Sequence, residues 1–398
     1  MRVDWGETRL GDAGVWVSGG TPNTANPAFW GGDIPWMSSK SMTEFHVRSS
    51  DRLLTPLGAE NGTRLVPKDT ILMVVRGMSL KTEFRMGITQ QEVALSQDLK
   101  GLIPGSAFDP LFLAYAIQSK TPEILDMVDE AGHGTGRLQT DRLFAVRLPV
   151  PPMATQHAIA ATLGALDDKI ESNRRAGGLE RQIAVSALSV GTQSVRVRDV
   201  AALSKGLSYK GAGLDDGSSG GALAMLNLAN FTRTGELKTS GLKHYTGDFK
   251  PKHLLAAWDL ITANTDLTQE REILGRGFLV PPTLAGALHT HHTSKVQFFD
   301  REELGLVLWA QLQRPEFRER AKGFATGTTV TALPAEAILD FEITVPHDLG
   351  TALARARALI EHSWQLESES ARLVQTRNIL LAELLAGRVG APIAEVAA

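Results

Sequence analysis

An internal repeat constrains this chain more than any other feature. Shifting the sequence by 195 positions lays Leu138 on Leu333, Leu143 on Ile338, Phe144 on Leu339, Val146 on Phe341, Leu148 on Ile343, Val150 on Val345 and Pro151 on Pro346. Both copies then open a long helical pattern. A period close to half of the 398 residues implies two related units, each a globular part followed by a helix, rather than a solenoid of short repeats.

Inside the units, short apolar runs bounded by turn residues read as strands, among them Val15-Trp16-Val17, Ile34-Pro35-Trp36-Met37 and Thr70 to Val75. Leu111, Phe112, Tyr115 and Ala116 form one stripe, which predicts a helix from Pro110 to about Gln118, and a second is expected from Pro122 to Glu130. The first unit is thus mixed α and β. Arg198-Asp199-Val200 echoes Leu10-Gly11-Asp12, and Trp258-Asp259-Leu260-Ile261 echoes Lys68-Asp69-Thr70-Ile71. Gly213 to Gly221 reads as a flexible surface loop.

Pro151 and Pro152 end a strand and start a helix, because proline fixes φ and suits the first helical turn. Ile159, Leu163, Leu166 and Ile170 then follow a helical seam, and Gly177-Gly178 predicts a break or a two-helix arrangement. In the last segment Leu359, Leu366, Leu373 and Leu380 recur every seven residues, which specifies a coiled-coil seam. Each helix would be about 55 Å long at ~1.5 Å per residue. The expected fold class is α+β, two mixed α/β domains separated by two long antiparallel coiled-coil helices with a pseudo-two-fold internal repeat. Its bounds are 1–150, a central helix 151–190, 191–345, a C-terminal helix 346–389 and a tail 390–398.

Composition then narrows the function. There is no cysteine, which excludes disulfides, thiolate-bound zinc and a thiol nucleophile. Met1 to Glu7 holds no apolar run of signal-peptide length, and no segment approaches the roughly 18 apolar residues of a membrane span, so a cytoplasmic location is expected. The net charge of −3 means that a DNA-binding role needs Lys and Arg concentrated on one face, or a partner that shares the task. No nucleotide motif opens a helix after a strand, and no Asn/Asp-Pro-Pro-aromatic tetrapeptide of an adenine methyltransferase is present. A non-catalytic chain is expected.

The residues resemble the specificity subunits of type I restriction-modification systems. Pro151-Pro152 with Gln156, Ile159, Leu163, Leu166-Asp167 and Ile170 is similar to the start of that family's central helix. Ala263 to Thr268 with His291 to Val296 is similar to its target-recognition strands, and Ala325 to Val330 leads likewise to Pro346. Leu380-Leu381, Leu384-Leu385, Gly387 and Val389 resemble the end of its C-terminal helix. The resemblance implies two target-recognition domains, each reading one half of a split, asymmetric double-stranded DNA site. It implies a spacer that docks two methyltransferase subunits, joined by restriction subunits in phage defence. Those partners, not this chain, would bind S-adenosylmethionine, methylate adenine N6 and use ATP and Mg; no cofactor is implied here.

For base reading, Arg suits guanine and Asn or Gln suits adenine, since each can make two hydrogen bonds to a major-groove edge. Arg76, Gln90 and Gln91 in the first unit and Asn227, Asn230, Asn264 and Gln269 in the second are candidates. Thr21, Ser39, Arg137, Thr265, Thr328 and Thr329 join them, with Lys40, Lys81, Lys205, Lys210 and Lys295 as phosphate contacts. His289, His291 and His292 lack a carboxylate at metal-binding spacing, so DNA contact and a plain strand role stay open for them. Gly19-Gly20-Thr21 and Gly132 to Gly136 are either hairpin turns or backbone approaches to a phosphate. The partner surface is expected at Ile159, Leu163, Leu166, Ile170, Leu359, Leu366, Leu373 and Leu380. A structural scaffold with protein-binding ends is the alternative.

Overall fold

The computed structural model describes residues 5–391 apart from 132–134, 218, 240, 269 and 328–329. The chain forms two compact units, one of Met1–Glu171 with Ser370–Ala398, the other of Ser172–Glu369. Each unit includes part of both long helices, Met153–Ala187 (the central helix) and Leu349–Leu385 (the C-terminal helix).

The first unit carries a five-stranded sheet in the order Gly14–Ser18, Leu99–Pro104, Ile71–Val74, Met86–Thr89, His46–Val47. Ile71–Val74 is buried at every position, as a continuous apolar run on an interior strand should be. The second unit repeats the first four strands in the same order and sense: Ala201–Lys205, Thr293–Phe298, Leu260–Ala263, Gly277–Leu279. A parallel pair also recurs, Trp30–Met37 with Val93–Leu95 and Leu223–Leu226 with Leu288–His289. So does an antiparallel pair at each unit's base, Gly6–Arg9 with Arg147–Val150 and Gln193–Arg196 with Glu342–Val345. The 195-residue shift survives as shared burial at this junction, where Leu143, Leu148, Ile338 and Ile343 all lie in a core.

The repeat is sharper in backbone than in sequence. Asp69 and Trp258 both adopt left-handed φ, 66° and 71°, and donate their N–H to Thr89 O (2.9 Å) and Val280 O (2.8 Å). Trp258 therefore corresponds to Asp69, one position from the echo that paired it with Lys68. Aspartate tolerates this conformation far better than a bulky residue. Trp258 is held there between Arg357, 4.3 Å from its ring, and Trp364, 4.5 Å away, both on the C-terminal helix.

Several expectations need correction. The segment after Pro122 is a short helix, Thr121–Leu125, followed by a strand, Val128–Ala131, because Val128 takes its place opposite Leu138. Gly177-Gly178 does not break the central helix. Gly177 faces Ser363, whose Cβ would lie 3.6 Å from an added methyl, so the glycine is used for close helix approach. The Gly213 to Gly221 stretch includes a strand, Leu214–Asp215, and the Asp215 carboxylate accepts hydrogen bonds from the N–H groups of Gly217 (2.7 Å) and Ser219 (3.3 Å).

The helix seam also differs from the leucine heptad. In the C-terminal helix the buried positions are Ala356, Ile360 and Ser363 in the second unit and Leu381 and Leu384 in the first. Leu359, Leu366, Leu373 and Leu380 stand beside that line and are half-buried. Sequence hydrophobicity picks the leucines because the true seam mixes small and charged residues. Within the first unit Arg377 donates to Asp167 (2.6 Å), which accepts in turn from the Tyr115 hydroxyl (2.6 Å). Within the second, Arg181 bonds Glu367, Glu236 and Ser363, and Asn173 donates to Glu369 (2.7 Å). In each unit the pairing runs antiparallel. Ile159 and Leu163 lie in the first unit's core, so they secure the helix to its own unit and are not exposed to a partner; Leu166 and Ile170 are half-buried.

Candidate nucleic-acid interface

Three backbone hydrogen bonds build the same frame at one end of each sheet. Gly20 N–H donates to Leu95 O (2.8 Å), as Leu207 does to His289 O (2.7 Å). Val75 N–H donates to Asp98 O (2.9 Å), as Asn264 does to His292 O (2.8 Å). Leu138 N–H donates to Val75 O (2.9 Å), as Leu333 does to Asn264 O (2.8 Å). The crossing is tight in both units. A Cβ on Gly19 would sit 2.2 Å from Leu95 O, and one on Gly206 2.3 Å from His289 O. Gly19-Gly20 therefore serves backbone approach within the protein. The N–H of Gly20 is taken by Leu95 and does not cradle a phosphate.

On this frame the first unit displays Thr21, Arg76 and Arg137, with Ser39 about 3.7 Å from where a Gly77 Cβ would project. Arg76 and Arg137 are exposed and directly opposite on paired strands, with Asp129 opposite Arg137 on its other flanking strand. Arg137 makes no ion pair among the described residues. Sequence reasoning missed two neighbours. Gln97 accepts from the Thr21 hydroxyl, and Asp98 has its carboxyl pushed up by burial while Arg76 opposes the shift. The signal was available: Asp98 holds the place of His292, a residue that drew notice for its ring.

The second unit gathers Asn264, Thr265, His291 and His292 at the corresponding place. Thr265 Oγ1 lies 3.0 Å from His292 Nδ1, and the two imidazoles stand 4.1 Å apart. His291 is exposed, whereas burial, then His291, pushes His292 below its ordinary pKa. A neutral imidazole at His292 can donate or accept toward a base edge. Lys205, paired with Ser294 across the sheet, and Lys210 are exposed. Gln269, Thr328, Thr329 and the Gly132 to Gly134 part of the glycine stretch lie outside the described residues.

Other expected contacts fall elsewhere. Gln90 and Gln91 follow strand Met86–Thr89 at the end opposite Arg76, since Ile71 pairs with Ile88 and Met73 with Met86. They instead meet His46 and Arg48 O. Lys40 stands near Asp51 (4.0 Å), and Lys81 bonds Glu130 (2.5 Å), both on the surface. Asn227 and Asn230 cap a single turn: Asn227 Nδ2 donates to Asn230 Oδ1 (2.9 Å), and Asn230 is fully buried. A cap needs the same amide that base reading would use, so these two drop out. Lys295 is committed to Asp259 (3.2 Å) and Leu254 O (3.0 Å). His289 is buried with Nδ1 2.9 Å from Thr293 Oγ1, and burial, then Lys295, pushes its pKa down to about 4. Among the described residues no group of three His, Asp or Glu could hold a metal ion.

A duplicated α+β frame thus presents unlike polar side chains from one loop cluster in each copy. Its overall fold is similar to the crystal structure of a type I restriction-modification S subunit from M. genitalium, with TM-score 0.54 and 12% identity over 96% of both chains. Residues 2–177 match the family described as type I restriction modification DNA specificity domain. The specificity subunit of the Escherichia coli enzymes EcoR124I/EcoR124II is 31% identical over 183 residues, 46% of this chain and 44% of that one. The MjaIX specificity subunit of Methanocaldococcus jannaschii is 27% identical over 186 residues, 46% of this chain and 42% of that one. These matches span under half the length of each relative. Residues 2–177 are thus similar to type I restriction-modification specificity proteins, and the chain as a whole shares the fold of one such subunit. Among the described residues no helix is long and apolar enough to cross a membrane.

Proposed function

We propose that this chain selects the DNA sequence for a cytoplasmic type I restriction-modification complex by reading a bipartite, asymmetric site. The observation that supports it best is the shared three-bond frame carrying Thr21, Arg76 and Arg137 in one unit and Asn264, Thr265, His291 and His292 in the other. Equivalent scaffolds fix where side chains stand, and unlike side chains fix which bases they accept. On this reading residues 1–150 and 191–345 are the two target-recognition domains. The helices set a non-specific gap and carry two methyltransferase subunits, with restriction subunits joining the assembly. S-adenosylmethionine belongs to the methyltransferase, ATP and Mg to the restriction partner.

Exchange of residues 1–150 for the corresponding unit of a relative tests it, with methylated motifs mapped by sequencing. One half-site should change while the other half-site and the gap stay the same. Exchange of 196–345 should do the converse. A continuous methylated motif, or an exchange that alters both half-sites, would refute two independent readers.

A further inference from the structure

Two large apolar side chains stand in water at one corresponding place. Met78 is 77% exposed and Leu267 is 68% exposed. Each directly follows a strand of the shared frame, Arg76–Gly77 in the first unit and Thr265–Asp266 in the second.

Neither is a loose tip. Met78 opens the 3-10 turn Ser79–Lys81, whose Leu80 is fully buried, and its carbonyl accepts from Lys81 N–H at 3.4 Å. Leu267 follows buried Asp266, whose carboxylate accepts from Thr268 N–H (2.7 Å), Thr268 Oγ1 (2.8 Å) and Ile273 N–H (2.8 Å). Different local chemistry thus clamps both turns and holds an apolar side chain outward in each.

Their surroundings favour one occupant. Met78 is two residues from Arg76, across from Arg137, and Leu267 adjoins Thr265 with Arg271 closing the same turn. An exposed apolar group held beside hydrogen-bonding side chains, with Arg76 and Arg137 close to it in the first unit, suits stacked bases between phosphates, since base faces are apolar and the backbone is anionic. We propose that Met78 and Leu267 are wedges, each entering one base step of its own half-site and partly unstacking it. This rests on the DNA-reading function above and adds a way of deforming the site.

The test uses the full chain assembled with its methyltransferase subunits and duplexes carrying the mapped motif, with 2-aminopurine at successive half-site positions. The unsubstituted complex should brighten the probe at one step in each half-site. Met78→Ala should abolish the signal in one half-site and Leu267→Ala in the other. Each should weaken binding of intact duplex roughly tenfold, but by under about threefold when that step carries a mismatch that already unstacks it. Met78→Leu should retain the signal. Unchanged affinity and fluorescence would overturn the wedge, as would equal losses on intact and mismatched duplex. Loss of methyltransferase assembly on sizing, with no change in the probe, would assign the side chains to a protein surface and also overturn it. Failure of the unsubstituted complex to bind motif DNA would instead refute the underlying function.

Discussion

At the scale of single residues, the same side-chain chemistry serves reading and building, and only placement separates them. Asn227, Asn230 and Lys295 had suitable chemistry for DNA, yet a capping turn and an ion pair with Asp259 claim them. The placement of Arg76 and the Asn264-Thr265 pair on the shared frame was legible because a polar residue just after a buried strand emerges at a sheet end, and their proposed role rests on that placement. Gln90-Gln91 met the same criterion at the end of the sheet away from Arg76, since a sequence does not show which ends of antiparallel strands share a side. His289 carries a prediction of its own. It is buried and neutral, with its pKa down from 6.5 to about 4. As pH falls below 6.5 the unfolded chain takes up a proton that the folded chain refuses until near 4. Stability is therefore full above that range and is lost within it, by about 2 kcal/mol at pH 5 from this residue. His253 and His292, also lowered mainly by burial, act in the same direction, so the comparison of slopes is decisive. Urea unfolding at about pH 7.5 and pH 5 should show a smaller loss in His289→Gln than in the unsubstituted protein; equal losses would contradict a buried neutral ring.

At the scale of elements, the long helices were legible in extent but not in facing. Their ends fall within a few residues of expectation because proline and apolar periodicity mark them. The seam was placed only in part: Leu359 and Leu380 pack against the cores, but leucine spacing outweighs small and charged residues in any sequence pattern, and Gly177 against Ser363 and Asp167 against Arg377 also join the helices. Burial makes that ion pair sensitive. Asp167 is 5% exposed and also accepts from Tyr115, whose own ionisation burial and Asp167 push out of reach. Asp167→Ala would leave the Arg377 guanidinium without its carboxylate and should cost about 3 kcal/mol or more. Asp167→Leu with Arg377→Leu should recover most of it. Thermal unfolding of the singles and the double decides the point, and additive losses would mean that the two charges do not interact.

At the scale of the whole chain, duplication was the most legible property, since the junctions kept their apolar register while the intervening loops changed length. What the sequence could not show is that the compact units cut across the long helices. The first unit takes Leu381 and Leu384 into its core from the far end of the chain. A chain stopped after Glu369 should keep the second unit folded and expose the first, seen as protease cleavage confined to residues 1–171; equal protection of both would show that the last helical stretch is dispensable. The same feature sets an order of birth. Ser172–Glu369 is one unbroken stretch and can close as soon as it leaves the ribosome. The earlier residues must wait for about 200 more to be made, roughly 10–40 s at ~5–20 residues per second. The unit begun first is thus the one finished last, and through that interval its open core is what a chaperone would meet.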